Sequence, residues 1–135
     1  RFLVEGFLIY GGRSAVGADA GWWLPLLAHR QNTMPPQYAL FNETPIEPDY
    51  SRRVVETVGL IQEHSIDSPQ AVALLCREGI THVYVGQGQG LIGAGAKQLY
   101  APEELLRNPA FSPIYHRDRV WIFAFDRTRC GDVER

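Results

Sequence analysis

Apolar positions along the chain change their period several times, and each change marks an element. Phe2-Leu3-Val4 predicts a short buried strand, reaching at most to Phe7 because Glu5 and Gly6 interrupt it. Gly11-Gly12 predicts a turn, and Ser14 to Gly17 a second, weaker strand. The stretch Ala20-Gly21-Trp22-Trp23-Leu24-Pro25-Leu26-Leu27-Ala28 is apolar on every side. Asp19 is placed to cap a first helical turn, whereas Pro25 would break a helix interior. A short helix, kinked at Pro25 or starting near Leu24, meets both constraints. Gln31 to Pro36 reads as extended, and the prolines and Asn42 that follow up to Asp49 show no period. A long surface loop is expected there, of a length usually found in functional or mobile segments.

Two amphipathic helices come next. Ser51 to Glu63 sets Val54, Val55, Val58 and Ile61 on one face. The second opens at Asp67-Ser68-Pro69, a cap followed by proline at the first helical position, and stops at Gly79. Gly79 to Gly86 is the strongest strand pattern in the chain, and a helix feeding it through glycine resembles the second half of a βαβ unit. A short helix is expected over Pro102 to Arg107. Ile114 to His116 and Val120 to Phe125 form a hairpin around Arg117-Asp118. Trp121, Phe123 and Phe125 share one face of the last strand and Ile122 and Ala124 the other, which predicts cover on both sides. The expected fold is α/β: a mixed, mostly parallel central sheet with helices on its faces and a C-terminal antiparallel hairpin. Residues 1–126 form one domain in this reading, and 127–135 a polar, disordered tail.

Composition narrows the function classes. With 135 residues, 45% hydrophobic and 21% charged, the chain suits one globular domain with a sizeable core. A formal net charge of -2 with interspersed signs leaves no basic stripe, so a nucleic-acid partner is not expected. No apolar run approaches the roughly 20 residues that a membrane-spanning helix needs. Cys76 and Cys130 lack CxxC spacing and suggest neither a zinc site nor a disulfide framework. Cys76 reads as a small buried apolar residue and Cys130 as incidental.

Two stretches carry candidate chemistry. Gly88-Gln89-Gly90-Leu91-Ile92-Gly93 fits GxGxxG after a strand, the arrangement that brings backbone N–H groups to a pyrophosphate. It sits late in the chain, is followed by a poor helix start, and lacks an acid about twenty residues on at the end of another strand. The loop 86–95 therefore reads as a surface loop, with a small nucleotide-binding module or enzyme as the alternative. The other stretch is Asp19 with Trp22 and Trp23. An exposed indole stacks on the C–H face of a pyranose while a carboxylate accepts hydroxyl hydrogen bonds, so these three residues are the candidate sugar-binding set. Burial of both rings, with Asp19 only capping, is the structural reading beside it. His29, His64, His82 and His116 are scattered, and neither HExxH nor G-x-S-x-G is present. Glu5 and Asp19 could converge at one sheet edge as two carboxylates. No catalytic residue, cofactor or metal ligand is assigned.

The opening Arg1-Phe2-Leu3-Val4 has no initiator Met and no polar lead-in, and we expect the chain to be part of a longer protein. Gly17-Ala18-Asp19-Ala20-Gly21-Trp22-Trp23-Leu24-Pro25-Leu26-Leu27-Ala28-His29-Arg30 with Thr33 to Pro36, then Gly79 to Gly86, Phe111 to Tyr115 and Val120 to Phe123, carry a resemblance. In this order they resemble the soluble C-terminal region of bacterial polytopic membrane proteins related to glycosyltransferases that use polyprenyl-phosphate sugars. The resemblance implies an extracytoplasmic α/β domain tethered through its parent, with the transmembrane part of the same chain as partner. It implies a non-catalytic accessory role, binding a glycan or lipid-linked acceptor or packing on the membrane block. That family's catalytic acids lie in the membrane block, so none is carried over to this chain.

Overall fold

A computed structural model describes residues 1–18, 20–34, 48–87 and 98–134, apart from the side chains of residues 20, 22 and 132–134. The chain begins with β1 (Phe2–Leu3), β2 (Gly6–Ile9) and β3 (Ser14–Gly17). A 3-10 turn over Ala20–Trp23 runs into α1 (Leu24–Ala28). Then come α2 (Tyr50–His64), α3 (Pro69–Arg77), β4 (His82–Val85) and α4 (Pro102–Arg107). β5 (Phe111–Arg117), β6 (Val120–Phe125) and a 3-10 helix over Arg127–Glu134 complete it.

The main sheet has the order β1-β4-β6-β5, and β2 pairs with β3 in a separate antiparallel hairpin. β1 and β4 run parallel, in the register Phe2↔His82 and Leu3↔Val83. β6 is antiparallel to both β4 and β5. The fold is α/β with a mixed sheet, and the expectation of a mostly parallel sheet is corrected. The reason lies in the tight β5–β6 turn at Asp118-Arg119. It makes those strands antiparallel, and β6 then inserts beside β4 in the opposite sense.

The helices form where their caps and faces dictate. The Ser68 hydroxyl accepts from the Ala71 N–H at 3.1 Å, with Pro69 at the start of α3. At the other end Gly79 adopts φ +63°, and the Ile80 N–H returns to the Leu75 carbonyl at 2.9 Å. This left-handed exit points the chain directly into β4. α2 buries Val54, Thr57, Val58 and Ile61 and packs on the β2–β3 hairpin and α3. Val54, Val58 and Ile61 join Leu3, Leu75, Val83, Phe123 and Phe125 in one core. The opposite face of β6 differs from the expectation, because Ile122 and Ala124 are only half-buried. Trp121 is also half-buried, its ring stacked 3.5 Å from His116 and 5.6 Å from Phe123.

The C-terminal segment departs furthest from the sequence reading. Cys76 and Cys130 form a disulfide across 54 residues, with Cα atoms 5.5 Å apart. The separation hid the pairing, because the two cysteines meet only when α3 packs on the last 3-10 helix. A loop of this length loses about 4 kcal/mol of unfolded-state freedom in the chain-entropy account. Residues 127–134, expected to be disordered, are thereby held as a 3-10 helix, with Cys130 buried. Asp126 starts it by accepting from the Thr128 N–H at 3.0 Å and hydroxyl at 2.7 Å, which keeps its carboxyl pKa low.

Glu5 sits between β1 and β2 with no exposed surface, and its Oε1 accepts from the Leu99 N–H at 2.5 Å. Its backbone carbonyl accepts from the Ala18 N–H at 3.0 Å. One acid thus joins the hairpin to the entry of α4. Removing a buried acceptor leaves its donor unsatisfied, at about 1–3 kcal/mol. Glu5→Ala should lower the unfolding free energy read from urea denaturation by that much, with a lower midpoint, and Glu5→Gln, which keeps an acceptor, by clearly less. Equal midpoints for wild type and Glu5→Ala would contradict this role.

Candidate functional site

α1 is the element that shapes the site. Pro25 occupies its first turn, where a missing N–H costs nothing. Its C-cap is His29, at φ +51° in the left-handed region. A side chain there costs roughly 1 kcal/mol relative to glycine, so the imidazole is held where the backbone does not favour it. The N–H groups of His29 and Arg30 both reach the Leu24 carbonyl, the latter at 3.3 Å. The chain then turns and runs beside β1. Gln31 accepts from the Phe2 N–H at 2.8 Å, and Asn32 forms a parallel bridge with Phe2. The Asn32 amide donates to the Gly21 carbonyl at 2.9 Å, and the Thr33 hydroxyl accepts from the Val4 N–H at 3.2 Å. Residues 29–33 form a strap that fixes α1 to the sheet.

A pocket of about 490 Å³ opens between this strap, Pro25, Arg1 and Tyr50. The volume lies within the usual range for small-ligand sites. Among the described residues its lining includes Arg1, His29 and Arg30 and no carboxylate. Arg1 is partly committed: its guanidinium lies 3.6 Å from Glu78 Oε2 and donates to the Glu78 carbonyl at 3.3 Å and the Asn32 carbonyl at 3.4 Å. Glu78 is buried and also meets Arg53 at 3.9 Å and Arg77 at 3.6 Å, so its charge is spoken for. Arg30 and His29 are exposed and make no side-chain ion pair among the described residues.

The positive field reaches the sheet. Burial lowers the His82 pKa, and the charge of Arg30 lowers it further. The imidazole stacks on Phe2 at 4.9 Å, and its Nδ1 lies 2.8 Å from the Thr81 hydroxyl.

On its outer side α1 presents Leu26 and Leu27, 66% and 75% exposed, with Trp23 at 40% one turn earlier. Of the candidate sugar-binding set, Trp23 is on this ridge, Trp22 lies in the 3-10 turn, and Asp19 is outside the described residues. Gly86 and Gln87 begin the glycine-rich loop, Gln87 donating to the Asp118 carbonyl. Residues 88–97, which hold the GxGxxG match, are outside the described residues, as are 35–47 of the long loop. Among the described residues no three His, Cys, Asp or Glu side chains are grouped to hold a metal. The sequence reading missed the pocket. Its only signal was the pair His29-Arg30 ending an apolar helix, and Arg1 and Tyr50 join them only through the fold.

Compared with protein-family models, curated proteins and solved structures, the chain matches none.

The lowered His82 pKa has a definite consequence for stability. Above the ordinary histidine value this group is neutral in both folded and unfolded chains, and its contribution is intact. As pH falls below that value the unfolded chain is protonated first, so stability drops until the folded value is passed. Between about pH 8 and pH 5, wild type should lose more thermal stability than His82→Gln. Parallel melting profiles for the two would show that His82 is not so placed.

Proposed function

We propose that this chain is a non-catalytic accessory domain of a membrane glycosyltransferase-like protein, held on the extracytoplasmic side through its parent. The glycosyltransferase part of this reading rests on the resemblance carried by Gly17 to Arg30 and Gly79 to Gly86. The observation that carries the compartment is the Cys76–Cys130 disulfide, because such bonds persist in oxidising compartments and are rare in reducing ones. The exposed Trp23, Leu26 and Leu27 suit an element that works against an apolar neighbour. The domain's task in this reading is to position an acceptor or glycan, or to pack on the membrane block. Among the described residues, no helix is long and apolar enough to cross a membrane.

Thiol trapping in the native host tests the compartment. Cells quenched with a membrane-permeant maleimide should yield Cys76 and Cys130 unlabelled unless a reductant is added first. Full labelling of both thiols without reductant would place the domain in a reducing compartment and remove the proposal.

A further inference from the structure

We infer that α1 and the strap behind it form a contact face for an anionic lipid surface. Trp23, Leu26 and Leu27 would enter the interfacial region, and the pocket at Arg30, His29 and Arg1 would receive a headgroup phosphate. This inference concerns one face of the chain and does not depend on how the chain is tethered.

Three independent features meet at this face. The first is apolar. A five-residue helix that buries no residue fully is an unusual place for two leucines 66% and 75% exposed, and the spacing 23, 26, 27 puts the indole on the same side. Tryptophan and leucine on one side of a short surface helix suit the boundary between headgroups and acyl chains.

The second feature is charge. Among the described residues the adjoining pocket is lined by the guanidinium groups of Arg1 and Arg30, by His29 and by no carboxylate. Glu78, the buried acid that Arg1 meets behind the pocket, is shared among Arg1, Arg53 and Arg77, which leaves the Arg30 guanidinium, with the His29 ring beside it, to face an outside anion. Guanidinium forks match phosphate oxygens well, and basic residues at a lipid surface each add to binding. The chain carries a formal net charge of -2, so this attraction is local and not a property of the whole molecule.

The third feature is geometry. Pro25 lines the pocket while Leu26 and Leu27 point outward from the same turn, so one small element serves both surfaces. His29 is kept at a left-handed position where glycine would be easier, and its ring is thereby retained at the pocket rim. A free sugar would need neither the exposed leucines nor the cations, and an apolar protein partner would not need the cations. A phosphate headgroup on a hydrocarbon surface uses all three features.

The test is co-sedimentation of the disulfide-bonded chain with vesicles of phosphatidylcholine alone or mixed with phosphatidylglycerol. Binding should require phosphatidylglycerol, weaken with salt, and shift tryptophan emission to the blue. Arg30→Ala should weaken it about fivefold, as expected for one basic residue near a charged surface. Leu26→Gln combined with Leu27→Gln should weaken it more than tenfold, as the loss of two buried apolar side chains implies. All three positions are exposed, so melting temperatures should stay at the wild-type value, and Arg13→Ala in the β2–β3 turn, which is not among the pocket-lining residues, should bind normally. Equal binding to neutral and anionic vesicles, or none at millimolar lipid, would overturn the inference. Inorganic phosphate that shifts the amides of residues 29–32 without any vesicle binding would also overturn it, leaving a site for a small anion only.

Discussion

The structure depends on a two-residue strand. Leu3 is fully buried beside Val83, and Arg1 and Phe2 hold the chain on either side of it. The Arg1 carbonyl accepts from the Thr81 and His82 N–H groups at 2.9 and 3.3 Å, while the Phe2 N–H donates to Gln31 at 2.8 Å. One short segment therefore joins β4, from the middle of the chain, to the strap that follows α1. Contacts so distant in sequence form only after large loops close, and the reward is the burial of Leu3 and Val4 in the common core. Without this seam α1 would have no fixed relation to the sheet, and the pocket would have no second wall.

The same seam governs the electrostatics. It brings Arg1 within reach of Glu78, so the buried acid is balanced by Arg1, Arg53 and Arg77. A buried carboxylate left alone would be costly, and three guanidinium groups around it relieve that cost. The balance leaves Arg30 and His29 uncommitted at the surface. A cationic pocket on a chain of net negative charge thus follows from how the interior is neutralised.

How much of this was legible in the sequence varies with the range of the interaction. Local signals were read well: the Ser68-Pro69 helix start, the Gly79 exit, the Pro102–Arg107 helix and the β6 span all depend on near neighbours. Pro25 likewise fell in the first turn of a helix beginning at Leu24. Non-local features were not legible. The sense of β6 against β4 follows from where the hairpin inserts, and the Cys76–Cys130 bond from the packing of two helices 54 residues apart. The site divides in the same way. Trp23 was singled out and lies on the exposed ridge, but Arg30, Arg1 and Tyr50 carry no shared spacing and become neighbours only through the β1 seam. Glu5 was weighed as a partner of Asp19, which lies outside the described residues, and its contact with the Leu99 N–H is one that no spacing in the sequence announces.

Native-state hydrogen exchange tests the seam most directly. If β1 is the part on which the rest depends, the N–H groups of Phe2, Val4 and Thr81 should exchange only through global unfolding, matching those of the β4–β6 ladder. The opposite result, with Phe2 and Val4 exchanging at the rate of an unfolded peptide while β4 and β6 stay protected, would contradict the account.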